Sequence, residues 1–287
     1  MVDTHIEHII RSHNLGNVDQ IDVVALSGGC INKAYKVTMG KDKYFLKLRA
    51  KQDCPGMFEK ESIGLLHLAR YVQVPSVLAV GTRDSVQYLV LEFVQDQPRD
   101  RMFWLNFGQS MARLHKVKHT CYGYEIDNYI GPLPQVNVFF DSWIAFFVHN
   151  RLLLQIERAE RNHLMSNSVL KKLEQLIIRL PQIIPEGSPS LLHGDLWNGN
   201  FISMHYHQAA LIDPAIYFGN REIEIAFTKL FGGFDPNFYY AYHEAYPLEH
   251  GFEHRVDIYN LSPLLVHLNI FGKSYLPQIE SILQKYK

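Results

Sequence analysis

The chain has few cysteines, almost no net charge and no long apolar run. Its 287 residues include three widely spaced cysteines, an odd number, so reduced thiols are expected rather than a disulfide framework. A formal net charge of −1 gives no basic surface for nucleic acid. No stretch reaches the roughly 18 apolar residues of a membrane span, and the first ten residues lack the apolar core of a signal peptide. We therefore expect a cytoplasmic protein that binds neither nucleic acid nor membranes.

Several motifs of nucleotide and metal enzymes are also missing. The chain has no G-x-x-x-x-G-K-[ST] loop and no G-x-G-x-x-G after a strand, which excludes two common phosphate-binding loops. Among its fifteen histidines, two pairs have i, i+4 spacing, but neither has the glutamate of His-Glu-x-x-His. A dedicated zinc site is therefore not expected.

The most informative stretch that is present runs from residue 191 to 200, Leu-Leu-His-Gly-Asp-Leu-Trp-Asn-Gly-Asn. It places Asp195 and Asn200 on one tight loop, and a predicted hairpin of two short strands, 201–204 and 209–212, returns Asp213 to their side. Such residues also occur in ordinary polar turns. Phosphoryl transfer from ATP, however, needs one carboxylate for the acceptor hydroxyl, and an amide oxygen plus a second carboxylate for Mg²⁺. The pattern predicts ATP and Mg²⁺ as cofactors, Asp195 as catalytic residue, and Asn200 and Asp213 as metal ligands.

The first part of the chain offers a candidate lid for the triphosphate. Gly28 and Gly29, followed by Cys30 and Asn32, lie between two predicted strands. Adjacent glycines let backbone N–H groups approach phosphates without steric cost. Because paired glycines also mark ordinary turns, this motif is weak evidence when taken alone.

A lysine and a glutamate are candidates for holding the phosphates. Lys47 interrupts the apolar strand 44–48, so it either snorkels from an edge strand or reaches into a cleft toward the α- and β-phosphates. Glu61 lies near the start of a predicted helix, 57–71. It either favours the helix N-terminus or pairs with Lys47 and holds it toward the nucleotide. We favour the pair.

An apolar strand, 88–94, runs into the polar segment 95–99, which contains Pro98. The backbone groups of Glu92, Phe93 and Val94 would then form a hinge that hydrogen-bonds adenine. We place the domain boundary here and expect an α+β fold of two lobes. Residues 1–94 form a small β-rich lobe that binds the nucleotide, and residues 95–287 form a larger, mostly helical lobe, with the ATP cleft between them.

The second lobe is predicted to be mainly helical. Apolar periodicity predicts helices over residues 102–118, 139–163, 168–180, 221–231, 237–246 and 253–271. Pro181 and Pro185 are expected to close the third of these. His115 is interpreted as a structural histidine below the catalytic loop, and the tyrosine- and proline-rich segment 121–135 as a loop on the substrate side.

The order of these parts resembles the protein-kinase-like fold of small-molecule kinases, including the aminoglycoside phosphotransferases. It most closely resembles the fructosamine kinase (ketosamine 3-kinase) family. The resemblance covers nearly the whole chain. Its most specific elements are Trp197 after His-Gly-Asp-Leu and the Asp-Pro-Ala run from Asp213. Further matching stretches are 26–35, 57–65, 213–222 and 230–234.

The chain departs from the protein-kinase motifs at three places. Gly194 occupies the place of the arginine that would receive an activation-loop phosphate, and Pro214 replaces the phenylalanine of Asp-Phe-Gly. No Ala-Pro-Glu follows. Activation by phosphorylation is therefore not expected.

The family resemblance implies that the acceptor is the 3-hydroxyl of a ketose joined through an Amadori linkage to an amine. It also implies that the 3-phosphate is unstable and eliminates, which releases the amine and repairs glycated amines or proteins. Trp197 could stack on the sugar, or pack in the core. The sequence does not choose among fructosamine, ribulosamine and erythrulosamine.

Three alternatives remain open. The chain could be a kinase for another small alcohol, of the aminoglycoside or choline type. It could be a catalytically silent nucleotide-binding scaffold, although intact Lys47, Asp195, Asn200 and Asp213 argue against that. Finally, Cys30 in the lid could act as a redox switch, and its oxidation could block ATP or link two chains into a dimer.

Overall fold

The computed structural model describes residues 2–15, 21–26 and 32–286, with side chains in the first helix from His5 onward. The amino-terminal lobe is built on a five-stranded antiparallel sheet of order β1-β2-β3-β5-β4. Its elements are α1 (Val2–Ser12), β1 (Ile21–Leu26), β2 (Lys33–Met39), β3 (Asp42–Ala50), α2 (Met57–Leu68), β4 (Val77–Arg83) and β5 (Val86–Glu92).

Each face of this sheet is covered by one helix. Three buried isoleucines of α1 pack on one face, together with Leu46 and Leu48 of β3. Helix α2 contributes Phe58 and Leu65 to a second cluster on the other face. Because side chains alternate along a strand, Lys47 points away from Leu46 and Leu48 and toward α2. The alternation therefore places the lysine where a glutamate of α2 can reach it.

The second lobe is mostly helical and contains three short two-stranded sheets, β6-β7, β8-β11 and β9-β10. Its large apolar core unites α3 with the helices of the C-terminal half. The elements are α3 (Arg101–Leu114), β6 (Asn128–Ile130), β7 (Leu133–Gln135), α4 (Trp143–Phe146), a π-helical segment (Phe147–Leu153), α5 (Leu154–Arg161), α6 (Asn167–Ile183), β8 (Ser190–Leu192), β9 (Phe201–Met204), β10 (Gln208–Leu211), β11 (Tyr217–Gly219), α7 (Arg221–Lys229), α8 (Pro236–Ala245), α9 (Val256–Phe271) and α10 (Leu276–Lys285).

The predicted two-lobed α+β architecture is confirmed, and so is the hairpin that returns the chain to Asp213, formed by β9 and β10. Several helix boundaries were predicted wrongly: α2 ends at Leu68 and not at residue 71, α3 ends at Leu114 and not at residue 118, and two others have a local cause. Pro181 lies inside α6, in its last turn, and the N–H of Ile184 still donates to the carbonyl of Leu180 at 2.9 Å. A proline one turn before the end therefore does not close the helix.

The helix predicted from Phe139 begins only at Trp143, because Ser142 caps it and Phe140 pairs with Tyr122 in an isolated β-bridge. Helix α10 was not predicted. Within the described ranges, no helix combines the length and the apolar composition needed to cross a bilayer.

Candidate active site

The loop that carries Asp195 lies directly against the segment that follows Asp213. Gly194 has φ 84°, and a Cβ at this position would lie 2.0 Å from the carbonyl oxygen of Ala215. Only glycine tolerates both the left-handed backbone and that approach. The N–H of Ala215 also donates to the carbonyl of His193 at 2.9 Å. The two segments are thereby fixed against each other by backbone contacts.

Asp195, Asn200 and Asp213 meet at this crossing. The Asn200 amide nitrogen donates to the Asp195 carbonyl at 2.8 Å and to its carboxylate Oδ2 at 2.9 Å. The N–H of Ile212 donates to the carbonyl of Asn200 at 3.1 Å, which brings Asp213 alongside. Asp213 has φ 56°, a left-handed conformation that aspartate tolerates better than most residues. Desolvation, reinforced by the charge of Asp213, raises the pKa of Asp195 to about 7.

Lys47 forms ion pairs with a carboxylate of its own lobe, Glu61, and with one of the second lobe, Asp213. Its Nζ lies 2.7 Å from Glu61 Oε1 and 2.6 Å from Asp213 Oδ1. Lys47 is only 3 % exposed and lies on a central strand, so it does not snorkel from an edge strand. Although desolvation opposes its charge, Asp213 and Glu61 hold the pKa of Lys47 above its ordinary value. The ammonium is therefore charged, and two carboxylates share it.

A buried glutamate that the sequence did not single out anchors the catalytic loop from behind. Glu224 of α7 accepts hydrogen bonds from the backbone N–H groups of His193, at 3.1 Å, and Gly194, at 2.7 Å. His115 Nε2 donates to it at 2.8 Å, and His115 Nδ1 lies 2.8 Å from the hydroxyl of Tyr242. His115 is fully buried behind the loop, as expected of a structural histidine.

The charges of this cluster follow from its burial. Although desolvation opposes it, the hydrogen bond from His115 and the surrounding donors hold the pKa of Glu224 below its ordinary value. Burial lowers the pKa of His115 and of His193. Both imidazoles are thus neutral at neutral pH, and Glu224 carries the charge. No local pattern marks Glu224, since its partners are brought to it only by the tertiary fold.

A cavity of about 50 Å³ opens beside Asp195 and Gly194. The β6-β7 hairpin, α5, α7 and α9 enclose it, and Arg151 of the π-helical segment is part of its lining. Ile130 and Gln135 line the cavity too, so the segment 121–135, expected on the substrate side, does reach this space. Trp197 is not among the lining residues. It is 38 % exposed, which rules out packing in the core.

The three proposed hinge residues are not equally available to adenine. Glu92 exchanges hydrogen bonds with Ser76: its N–H donates to the carbonyl at 2.9 Å, and its carboxylate accepts from the hydroxyl at 2.9 Å. The N–H of Phe93 donates to the carbonyl of Lys43 at 3.3 Å. The N–H of Val94 has no hydrogen-bond partner in the described part of the chain. It is therefore the donor left for a ligand.

The structure describes one of the four residues proposed for the phosphate lid. Gly28, Gly29 and Cys30 lie outside the described residues, so the lid and the Cys30 redox switch stay predictions. Asn32 is described, and its side-chain oxygen accepts a hydrogen bond from Arg49 at 3.0 Å.

The donor set at the crossing fits Mg²⁺. Because the Asn200 amide nitrogen is used by Asp195, its side-chain oxygen is left to face a ligand, and Asp213 engages Lys47 through one oxygen only. Amide and carboxylate oxygens are ligands that Mg²⁺ accepts. Over residues 2–15, 21–26 and 32–286, no group of three or more His, Cys, Asp or Glu side chains could enclose a metal. Phosphate and water oxygens would complete the coordination, as is usual for nucleotide-bound Mg²⁺.

The fold and this arrangement define a protein-kinase-like small-molecule kinase. The sequence profile described as "Fructosamine kinase" matches residues 2–287. A protein of Synechocystis named a probable ketoamine kinase is 37% identical over 268 residues, which cover 91% of this chain and 88% of the relative. A chloroplastic protein-ribulosamine 3-kinase of Arabidopsis thaliana is 32% identical over 94% of this chain and 84% of its own length. The chain belongs to the fructosamine kinase family.

Solved structures agree with this assignment. A crystal structure described as a fructosamine-3-kinase from Haemophilus somnus superposes with a TM-score of 0.87 at 28% identity, covering 98% of this chain and 96% of the other. An aminoglycoside phosphotransferase superposes with a TM-score of 0.67 at 16% identity over 100% of both chains. At that identity the second likeness shows the shared fold alone.

Proposed function

We propose that this chain is an ATP-dependent kinase that phosphorylates the 3-hydroxyl of ketosamines and so leads to protein deglycation. The observation that carries the proposal is the position of Asp195. Asp195 accepts a hydrogen bond from the Asn200 amide nitrogen, and it lines a cavity of about 50 Å³. Relatives named as ketoamine and ribulosamine kinases supply the substrate class. A cytoplasmic location, where ATP is available, belongs to the same proposal.

The nucleotide is held by groups from both lobes. The N–H of Val94 donates to the adenine ring, and Lys47 contacts the α- and β-phosphates. Asn200 and Asp213 would hold Mg²⁺, which would neutralise charge on the phosphate oxygens. Glu61 would keep Lys47 in place while Asp213 holds the metal. The lid from Gly28 to Asn32 is proposed to close over the phosphates with its backbone N–H groups.

Asp195 positions the acceptor. Its carboxylate accepts a hydrogen bond from the 3-hydroxyl and directs that oxygen at the γ-phosphorus, while Asn200 fixes the carboxylate through Oδ2. The transition state of phosphoryl transfer is loose, so positioning contributes more than early deprotonation. Burial, reinforced by the charge of Asp213, raises the pKa of Asp195, which favours its taking the proton late in the step. Trp197, exposed next to this loop, is proposed to contact the sugar face.

The test is Mg²⁺-dependent ADP formation with ribulose-, erythrulose- and fructose-lysine, choline and an aminoglycoside as acceptors. We expect turnover on at least one ketosamine and a loss of roughly 100-fold or more in Asp195→Asn. Asp84→Asn is the matched control, since Asp84 is an exposed turn residue at φ 46° whose side chain is 70% exposed. Turnover only on choline or the aminoglycoside would overturn the substrate assignment. ATP binding without any turnover would favour a scaffold.

A further inference from the structure

Arg151 is a buried arginine with no carboxylate in direct contact among the described residues, and the charge of Asp127 acts on it only from a greater distance. It is 4 % exposed, and no ion pair within 4.0 Å joins it to a described aspartate or glutamate. Arg255 shows the usual alternative: it is also buried, but it forms two hydrogen bonds, of 2.6 and 2.8 Å, to the carboxylate of Glu222. An unpaired buried charge is costly, and such groups recur at functional sites.

The protein uses only part of the guanidinium. Its Nη1 donates to the carbonyls of Val136, at 2.8 Å, and Asn150, at 3.1 Å, and its Nη2 donates to the Asn137 side chain at 2.6 Å. A guanidinium has five N–H donors. Beyond these three bonds, Arg151 also hydrogen-bonds the side chain of Tyr217. The donor that remains is on Nε, which is buried and has no hydrogen-bond partner. Burying such a donor without an acceptor is unfavourable unless a ligand or water supplies one.

The guanidinium is also rigidly held at the cavity wall. It lies 4.0 Å above the ring of Tyr217 and 4.6 Å from that of Phe146. Arg151 and Tyr217 both line the cavity that opens at Asp195. The segment that carries Arg151 is π-helical, a rare geometry found often at functional sites. The fold thus fixes an unused donor in the same cavity lining as the residue that would receive the acceptor hydroxyl.

The charge of Arg151 decides which end of a ketosamine can enter. With the 3-hydroxyl at Asp195, one side of the sugar leads to the amine and the other to the hydroxyl-bearing tail. The amine is an ammonium at neutral pH, which an unpaired guanidinium repels. The other carboxylate in the lining, Glu224, already accepts three hydrogen bonds from the protein. Apart from Asp195, the lining therefore offers no free carboxylate to an ammonium.

We propose that this cavity binds the polyol tail of the ketosamine, the carbons beyond C3, and that Arg151 donates its unused Nε hydrogen bond to a tail hydroxyl. The inference rests on the proposed function and adds an orientation to it. The amine and whatever carries it point out of the cavity. A glycated lysine on a protein surface can then present its sugar without the protein entering the cleft.

The experiment compares two acceptors, ribulose-lysine and its analogue without the C4 and C5 hydroxyls, which keeps the reactive 3-hydroxyl. The native enzyme should prefer the complete sugar by about tenfold or more in kcat/KM, because the analogue leaves Arg151 unpaired. In Arg151→Lys the preference should fall to within about twofold and the KM for ribulose-lysine should rise, while the KM for ATP is unchanged. The control is Arg255→Lys, which alters a buried arginine away from the cavity and should keep the preference while lowering the thermal midpoint.

The outcomes separate this inference from the proposed function. Turnover of both acceptors with equal kcat/KM by the native enzyme would overturn the tail subsite and leave the kinase activity standing. No turnover of either would overturn the function itself. An Arg151→Lys enzyme that is slower but keeps the full preference would show a structural role only and contradict the inference. Should that variant not fold, the native enzyme's preference still decides, and calorimetric binding of both acceptors repeats it without catalysis.

Discussion

Two buried glutamates, Glu61 of α2 and Glu224 of α7, face the cleft from opposite lobes and are held in different ways. Glu61 is 7 % exposed and forms an ion pair with Lys47 through one oxygen. Glu224 is 3 % exposed, and both of its oxygens accept hydrogen bonds from His115 and the catalytic loop. Burial raises the pKa of Glu61, whereas hydrogen bonds overcome burial and lower the pKa of Glu224.

The difference separates a structural anchor from a ligand site. The partners of Glu224 all lie inside the protein, so its charge is satisfied whether or not a substrate is bound. Glu61 shares a single lysine with Asp213, whose side chain is 42% exposed. Lys47 and the two carboxylates that share it can therefore regroup around phosphates and Mg²⁺. Four predictions test that contrast.

The largest effect is expected for Lys47→Met. The variant removes the cation shared by both carboxylates, and kcat/KM for ATP should fall by roughly 100- to 1,000-fold. The measurement is ADP formation as a function of ATP concentration. Lys43→Met is the matched control, since Lys43 is an exposed residue of the same strand. A loss of less than threefold would contradict the assigned contact with the phosphates.

Glu224→Gln should cost both rate and stability. Its amide would present an N–H to the donors that Glu224 now accepts from, so we expect about 2–3 kcal/mol less stability in urea unfolding. We expect kcat to fall about tenfold or more, because the loop that carries Asp195 loses its anchor, with the KM for ATP unchanged. Exposed Glu160→Gln is the control. A raised KM for ATP at unchanged kcat would contradict the role of Glu224 as the anchor of the loop that carries Asp195.

Glu61→Gln should have a smaller effect and a different sign for stability. The variant keeps the Lys47 ammonium and loses only the carboxylate that positions it, so kcat/KM for ATP should fall only about tenfold. Because a buried amide costs less desolvation than a buried carboxylate, the free energy of unfolding should stay level or increase. Urea unfolding beside Glu224→Gln is the measurement. Equal stability losses in the two variants would remove the distinction between anchor and ligand site.

The smallest expected effect is on the pH dependence of stability. The folded pKa values of His115 and His193 are lowered, so their stabilisation is complete above the unfolded value of about 6.5 and is lost as the pH falls. Glu61, with a raised pKa, contributes in the opposite sense. Asp195, whose pKa is also raised, adds to the contribution of Glu61. Between pH 7.5 and 5.5 the thermal midpoint of Glu61→Gln should therefore drop further than that of the native protein. A smaller drop in Glu61→Gln would be contrary to this account.

The site residues that the sequence predicted differ from those it missed in what reveals their contacts. Short motifs and strand alternation reveal the first group, and only tertiary packing reveals the second. Asp195 and Asn200 share one short motif, and a hairpin of local residues returns Asp213, so pattern and turn chemistry suffice. Lys47 is visible as a charge within an apolar strand. The pairing with Glu61 then follows from strand alternation and the position of α2.

Glu224 and Arg151 could not be found in this way. Each is a charged residue in a helical stretch. The partners of Glu224 lie 30 to 109 residues away and become its neighbours only through tertiary packing. Arg151 is buried by contacts with a loop 14 and 15 residues before it, which no helical periodicity indicates. Strand β11 is three residues long and too short for any periodicity to show. Pro181 was expected to end α6, but in the last turn it removes only one backbone hydrogen bond, and the helix continues past it to Ile183.

The most direct test of the account follows the product. Ribulose-lysine, ATP and Mg²⁺ would be incubated with the enzyme and observed by phosphorus and proton NMR. The account predicts a phosphate ester at C3 of the sugar, formed at the rate of ADP production, followed by the release of inorganic phosphate and free lysine. A stable ester at another hydroxyl, or ADP formation without any sugar phosphate, would contradict it.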